Sequence, residues 1–336
     1  MFYSTHNLKE YNTFGIDVTA RYFARPQTVE EAKECLTKAH RLALPVFILG
    51  GGSNVLFTKD FEGLIISPAF MGIEVQDQTE DKVCVAAGAG VTWDDLVAWC
   101  VNRNWGGLEN LSHIPGTVGA APVQNIGAYG AEAKDVVSMV EGIYIDTLEP
   151  FRLPADQCAF GYRSSIFKHG LKGQTLITRV SFTLTATPQP NTDYGRIEEE
   201  LQNQPDRSIQ SVRRAVIAIR SQKLPDPKIL GNAGSFFKNP AVKASLAKKI
   251  QEEYPNIPIY PSEIEGHHKL PAAFLIEKCG WKGVKRGNVG VHKDQPLVLV
   301  AFEGAKGHEV LDLSTQIESS IQQKFGIQLD KEVNVL

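Results

Sequence analysis

Gly106–Gly130 reads GGLENLSHIPGTVGAAPVQNIGAYG, and the fold turns on what so bare a segment is for. It holds six glycines, three alanines and two prolines; Glu109 is its single carboxylate, and it has neither lysine nor arginine. Backbone this poor in side chains can come close to a partner. Its N–H groups can then be aimed at a phosphate or a flat ring. A tight, buried structural loop is the plainer alternative. The segment is read as a ligand contact, and the chain as arranged around a large cofactor held there.

Two further glycine loops lie upstream. Leu44–Leu49 is a short apolar run of the kind that forms a buried strand, and it runs straight into Gly50-Gly-Gly-Ser-Asn54. That is where a diphosphate loop would sit, although no GK[ST] follows as in a Walker loop. Lys82–Ala87 is a second strand candidate, and Gly88-Ala-Gly90 after it lacks the third glycine of a dinucleotide fingerprint. Either loop could equally be a strand-to-loop turn. Together with Gly106–Gly130 they favour a nucleotide cofactor. Thr28-Val-Glu-Glu31 has the form of a capping box, followed by Val29, Ala32, Leu36 and Ala39 at helical spacing. With a strand at Gly63–Ser67, the opening portion reads as βαβ.

Downstream, Thr92 is expected to cap a helix carrying Trp93, Leu96, Val97 and Cys100. Val137–Ile145 and Thr175–Leu184 read as strands, and Pro188–Tyr194 as a loop. A helix begins at Ser208 with Ile209, Val212, Val216 and Ile219 on one face, and Lys223-Leu-Pro-Asp-Pro227 ends it. The last third offers helices at Val242–Tyr254, Ala272–Cys279 and Glu309–Phe325, the latter two stopped by Gly280 and Gly326. A strand at Leu297–Phe302 precedes the last helix, and Asp330–Leu336 alternates like a strand.

The 336 residues are 43% hydrophobic and carry a net charge of −3. That length suits two or three domains, and the charge lacks the basic footprint of a nucleic-acid binder. Five cysteines stand singly with no CxxC pair, which indicates neither a zinc site nor a disulfide framework and suits a reducing compartment. No signal-peptide pattern and no membrane-length apolar run is present. The expectation is a cytoplasmic monomer with no membrane and no nucleic-acid partner.

Candidates for chemistry are few. Phe160-Gly-Tyr-Arg-Ser-Ser165 puts a planar guanidinium, Arg163, beside Tyr162 among small residues, a fork suited to a carboxylate or to nothing more than a turn. Gly231-Asn-Ala-Gly-Ser-Phe-Phe-Lys-Asn-Pro240 sets Ser235 between glycine and aromatics, as a positioned donor or as structure. It is not the GxSxG elbow, and no His–Asp pair is identifiable from spacing. His267 and His268 fit no metal pattern and read as surface residues. Glu332, Lys223 and Gln295 have no distinction from sequence alone.

Taken in order, GGGSNVLF (Gly50–Phe57), IPGTVGAAPVQNIGAYG (Ile114–Gly130), FGYRSSIFK (Phe160–Lys168), GNAGSFFKNP (Gly231–Pro240) and KEVNVL (Lys331–Leu336) closely resemble the UDP-N-acetylenolpyruvoylglucosamine reductase family along essentially the whole chain. Each motif alone is weak, and five in this order are specific. The resemblance implies an α+β architecture. An FAD-binding fold of the vanillyl-alcohol-oxidase (PCMH) type forms two α+β subdomains, residues 1–67 with 327–336 and residues 68–223. A C-terminal α+β substrate-binding domain follows at 224–326. FAD would be held by Gly50, Gly51, Gly52, Ser53, Asn54, Ile114, Pro115, Gly116, Gln124, Gly127, Ala128 and Tyr129. NADPH is the implied co-substrate. A hydride passes by way of FAD to C3 of the enolpyruvyl group of a UDP-sugar, giving UDP-N-acetylmuramate for peptidoglycan. No metal is implied.

Charge then builds at C2 and spreads into the carboxylate, where preorganised donors stabilise it. By resemblance Arg163 and Glu332 flank that carboxylate, and Ser235 gives a proton to C2. Glu332 suits an anionic neighbour only if it is protonated or orients another group. Lys223, Lys238 or a water would help replenish the serine proton. Tyr162 and Lys223 are implied near the reacting end, and Tyr194, Asn239 and Gln295 on the UDP-sugar or its diphosphate. Tyr194 falls in the segment 188–198, which looks like the substrate-covering loop of the family's loop-containing branch. NADPH and the sugar nucleotide would use one site in turn. Competing readings are another flavin oxidoreductase of this fold that uses oxygen, and a non-catalytic nucleotide-sugar binder.

Overall fold

The computed structural model describes residues 2–194, 196–202 and 206–336; of the expected loop 188–198, Gly195 lies outside them. The chain forms two compact units. One comprises Met1–His6, Ala20–Gly52 and Phe61–Gln222, the other Asn7–Thr19, Ser53–Asp60 and Lys223–Leu336.

The first unit has two sheets. In one, Thr19–Ala24, Phe61–Ile66 and Val46–Ile48 lie parallel, with Phe2–Asn7 beyond Thr19–Ala24. The helix Val29–Arg41 makes the crossover and buries Ala32, Cys35, Leu36 and Ala39. Thr28 caps its start as the sequence suggests, Oγ1 accepting from Glu31 N–H at 3.2 Å, but the box is not closed on Thr28: Glu31 Oε2 accepts from Gln27 N–H at 2.8 Å. The other sheet is antiparallel, in the order Pro150–Pro154, Val137–Tyr144, Thr175–Thr185, Lys82–Gly88 and Ile73–Gln78. One core joins the two sheets, with Leu36, Leu64, Val85, Trp93, Val140, Val180 and Phe182 all buried in it. Thr92 does precede the helix Trp93–Val101, but its hydroxyl makes no cap bond. Its backbone is instead paired with Thr117 in the glycine-rich segment.

The second unit is built on an antiparallel sheet in the order Gly231–Ser235, Val298–Ala301, Val289–Val291, Lys285–Arg286. The helix Gly307–Phe325 lies against it, buries Val310, Leu313, Ile317 and Ile321, and ends on Gly326 in the left-handed conformation. A smaller sheet of Ala241–Lys243, His267–Lys269 and Tyr260–Pro261 carries the helix Ala244–Glu253. His267 and His268 are therefore half-buried strand residues rather than surface ones, with His268 opposite Val242. The chain's end is shorter as a strand than its alternation suggests: Asn334–Val335 pairs parallel to Val55–Leu56, and Lys331 forms a separate bridge with Phe237.

Candidate active site

The glycine-rich segment is stitched down along its length. Trp93 is fully buried and its indole N–H donates to Leu111 O at 2.9 Å. Trp93 N–H donates to Gly116 O, Val118 N–H to Val91 O and Gly119 N–H to Ala89 O. Gly50 and Gly51 lie against it: a Cβ on Gly51 would stand 2.8 Å from Gly116 Cα, and one on Gly50 3.0 Å from Ala120 Cβ. These two glycine loops are thus back to back, with no room for a side chain between them. Gly88 and Gly90 have a different cause. A Cβ there would meet Phe70 O at 2.2 Å and Ala69 Cα at 2.8 Å, so these two glycines admit neighbouring backbone. Glu109, the segment's one carboxylate, is buried and turned on its own loop, accepting Gly107 N–H at 2.7 Å. Around Gly50–Gly52, Gly116, Gly127 and Ala128 what remains is backbone and small side chains, the kind of surface that suits a diphosphate.

Arg163 is brought to this segment by a turn whose anchors are all main-chain oxygens or a buried amide. Ser165, buried, donates to Val123 O at 2.5 Å. Asn125, fully buried, donates to Gly161 O and to Glu132 Oε2, each at 3.0 Å, while its own oxygen accepts Lys134 N–H at 2.9 Å. Arg163 itself has φ +52° and donates to Gly127 O at 2.7 Å, with its guanidinium carbon 5.4 Å from the Tyr162 ring centroid. Non-glycine residues at such φ are uncommon, so the turn is held by these bonds. Gln124 accepts from Lys168 Nζ at 3.5 Å.

Sequence reasoning did not single out Arg220, and it took in Asn125 only as part of the Ile114–Gly130 motif. Arg220, on the helix Ile209–Lys223, donates to His113 O at 3.1 Å. Burial pulls its guanidinium below the usual range, opposed by the nearby Tyr129 phenol and Asp94. Burial in turn pushes the Tyr129 phenol up. The same helix is docked by Arg213, which grips both oxygens of Asp94 at 2.7 and 2.8 Å, while Asp94 also accepts His113 N–H at 2.6 Å. Burial raises the Asp94 carboxyl, but those donors outweigh it and leave it below its ordinary value. Helical periodicity reveals the apolar face of this helix but not the partners of its arginines. Tyr194 lies 54% exposed, its ring edge-on to Tyr129 at 6.4 Å. Lys223 is exposed at the helix end.

In the second unit, Ser235 ends the strand Gly231–Ser235 opposite Val298 after a register irregularity. Gly234 there has φ +67°, and its N–H is accepted by Asn232 Oδ1 at 3.0 Å. A Cβ on Gly231 would fall 2.2 Å from Phe14 O. Glu332 comes to this strand from the far end of the chain. Its N–H donates to Phe236 O at 2.8 Å, beside the Lys331–Phe237 bridge. Asn54 Nδ2 donates to Glu332 O at 3.3 Å, and Asn334 N–H to Asn54 O at 3.1 Å. Ser235, Glu332 and Asn54 are therefore held by one local network. Lys331 is paired with Glu318 Oε1 at 2.5 Å. Asn239 is spent partly on structure: its oxygen accepts the first N–H of the helix Ala272–Lys278 at 3.0 Å. Gln295 sits in the turn before Val298, its N–H on His292 Nδ1 at 3.2 Å. Among the described residues no group of three His, Cys, Asp or Glu could hold a metal ion, and no helix is long and apolar enough to cross a membrane.

A family model described as "FAD binding domain" matches residues 20–146. A second, "UDP-N-acetylenolpyruvoylglucosamine reductase, C-terminal domain", matches residues 226–336. The chain is 46% identical over 331 residues to a UDP-N-acetylenolpyruvoylglucosamine reductase of Bacteroides fragilis, covering 98% of this chain and 99% of that one. It is 46% identical over 336 residues to the enzyme of that name from Flavobacterium johnsoniae, covering 99% of each. The identity to the Pseudomonas aeruginosa counterpart is 45% over 333 residues, with 98% and 97% covered. Among solved structures, UDP-N-acetylenolpyruvylglucosamine reductase from Thermus caldophilus shares the fold, with a TM-score of 0.68 over 100% of this chain and 98% of that one, at 24% identity.

Proposed function

The chain belongs to the UDP-N-acetylenolpyruvoylglucosamine reductase family, FAD-dependent oxidoreductases of peptidoglycan synthesis, and on that premise we propose how its residues divide the work. Bound FAD would supply two-electron redox chemistry here, relaying a hydride equivalent from NADPH to C3 of the enolpyruvyl ether. Gly50, Gly51, Gly52, Ser53, Asn54, Ile114, Pro115, Gly116, Gln124, Gly127, Ala128 and Tyr129 hold the cofactor. Arg220 adds a cation suited to an anionic group. Residues 1–67 with 327–336 and residues 68–223 form the two FAD-binding subdomains, each also lending substrate contacts, and 224–326 form the substrate-binding domain.

Arg163 neutralises the substrate carboxylate as charge builds at C2. What supports this most is its bond to Gly127 O, which ties the guanidinium to the cofactor segment itself. Ser235 donates its proton to C2, a task open to so weak an acid because the partner is carbanion-like and strongly basic. Glu332 orients a neighbouring group, from a main chain fixed on Phe236. Tyr162 and Lys223 stand near the reacting end; Tyr194, Asn239 and Gln295 bind the UDP-sugar. NADPH and sugar nucleotide occupy one site in turn, in the cytoplasm, and the enzyme works as a monomer.

An anaerobic titration tests the reading. NADPH should bleach the yellow holoenzyme, and the enolpyruvyl UDP-sugar should restore the colour without oxygen. Failure of that second step would overturn the substrate assignment. Failure of the first would remove NADPH.

A further inference from the structure

Two stretches of the first unit meet at one buried side chain. Asn110, 3% exposed, lies in the turn Glu109–Leu111. Its amide Nδ2 donates to Tyr129 O at 2.9 Å and to Asn191 O at 3.0 Å. The first carbonyl is at the tip of the glycine-rich segment, and the second is in the loop that carries Tyr194. The turn beneath is itself fixed, with Ser112 Oγ donating to Glu109 O at 2.6 Å. Contacts around this clamp continue it. The rings of Tyr129 and Tyr194 meet edge-on at an interplanar angle of 87°. A Cβ on Gly130 would stand 3.3 Å from Tyr194 Cβ. Tyr129, at φ +50°, packs on the cluster of Ile197, Leu201, Val212, Ala215, Val216 and Ile219.

We propose that Asn110 is a positioning residue that clamps the Tyr194 loop to the tip of the cofactor segment, so that Tyr194 is set for the sugar nucleotide by the same contact that shapes Gly127–Gly130. This deepens the reading above and rests on it, since it takes Tyr194 as a contact of the UDP-sugar. The chemistry is selective for an amide. Two carbonyl oxygens converge on one atom, and only an NH2 offers a proton to each. A carboxylate of the same shape would set a third acceptor against them. Protonated, it would return one of the two bonds, and burial beside two carbonyls raises the pH at which it protonates. Asn110→Asp is therefore a switchable loss of the clamp at constant shape.

The test is both half-reactions of the Asn110→Asp holoenzyme, followed anaerobically by flavin absorbance from pH 5.5 to 8.5 against the unsubstituted enzyme. The apparent KM for the enolpyruvyl UDP-sugar should rise about tenfold at the alkaline end and recover toward the parent value at the acid end, with the limiting rate of reoxidation changed far less. A KM that does not move, a pH-independent rise, or an equal fall in the limiting rates of both half-reactions overturns the proposal. Should that variant lose its flavin, hydrogen exchange on the parent holoenzyme decides. Addition of the sugar nucleotide should protect peptides covering 127–130 and 188–194 together, and protection of the second alone would overturn it. Failure of the parent enzyme to be reoxidised by the sugar nucleotide would instead sink the underlying reading, whatever Asn110 does.

Discussion

Ser235 shows how little of a side chain's role lies in the side chain. A hydroxyl is a poor acid, and what distinguishes this one is its placement after a glycine at φ +67° that breaks the strand register. Ser235→Ala removes the donor and leaves that backbone alone. Flavin reduction by NADPH should stay within about threefold, while reoxidation by the sugar nucleotide slows by roughly 10³, inside the range for a lost general acid. Stopped-flow absorbance reads both, and equal slowing would make Ser235 structural. Asn125 carries the opposite kind of burden. One of its three bonds reaches the Arg163 turn at Gly161 O, and the other two fix Glu132 and Lys134 beside the glycine-rich segment. Asn125→Ala leaves Gly161 O only its bond from Ser164 N–H, takes the acceptor from Lys134 N–H, and places alanine at φ +48°. A loss of about 2–3 kcal/mol is expected from the unpaired groups and the strain. Denaturant midpoints measure that loss, and weakened reoxidation should accompany it because Arg163 loses its footing.

The helix Ile209–Lys223 is the element on which the first unit closes. Its apolar face was plain from Ile209, Val212, Val216 and Ile219, all buried. What the pattern of a single helix cannot express is that Arg213 is answered by Asp94, 119 residues away. Because the folded Asp94 carboxyl is held below its unfolded value, its contribution is complete above about pH 5 and is lost as pH falls through the folded value. Asp94→Asn should therefore cost about 2 kcal/mol at pH 7, less than a fully buried pair because the carboxylate is partly exposed. The gap between the two proteins should narrow toward pH 3. Urea midpoints across that range check the sign, and a gap that widens in acid would contradict it. Similar reasons separate the legible elements from the others. Strands with an apolar run, such as Lys82–Gly88 and Thr175–Thr185, were readable, whereas Ile73–Gln78 is an edge strand that is almost wholly exposed and polar. Thr28 caps through a partner three residues on, whereas Thr92, whose backbone pairs with Thr117 across the segment, makes no hydroxyl cap.

At the scale of the molecule, neither compact unit is a continuous piece of chain, and this has a direct consequence for cutting it. The second unit is largely residues 223–336, but its strands are finished by earlier sequence. Asn232 N–H donates to Thr13 O, and Gly231 packs without a Cβ on Phe14 O. Asn334–Val335 has its partner in Val55–Leu56, and Leu336 O accepts both the N–H and the hydroxyl of Thr58, at 2.7 and 2.6 Å. Gly307 opens its helix where a Cβ would be 1.8 Å from Phe57 O, contact that only glycine allows. Buried backbone groups left without these partners cost about 1–3 kcal/mol each, against a total stability of roughly 5–15 kcal/mol for a domain. Residues 223–336 expressed alone should therefore lack a cooperative melt, give broad amide resonances and expose apolar surface to a hydrophobic dye. Fusing 7–19 and 53–60 back through flexible linkers should restore a sharp transition, since the strand partners and the Phe57 contact return together. A cooperative melt from 223–336 by itself would show that the sheet and its helix suffice, and that the borrowed segments only decorate a unit already able to fold.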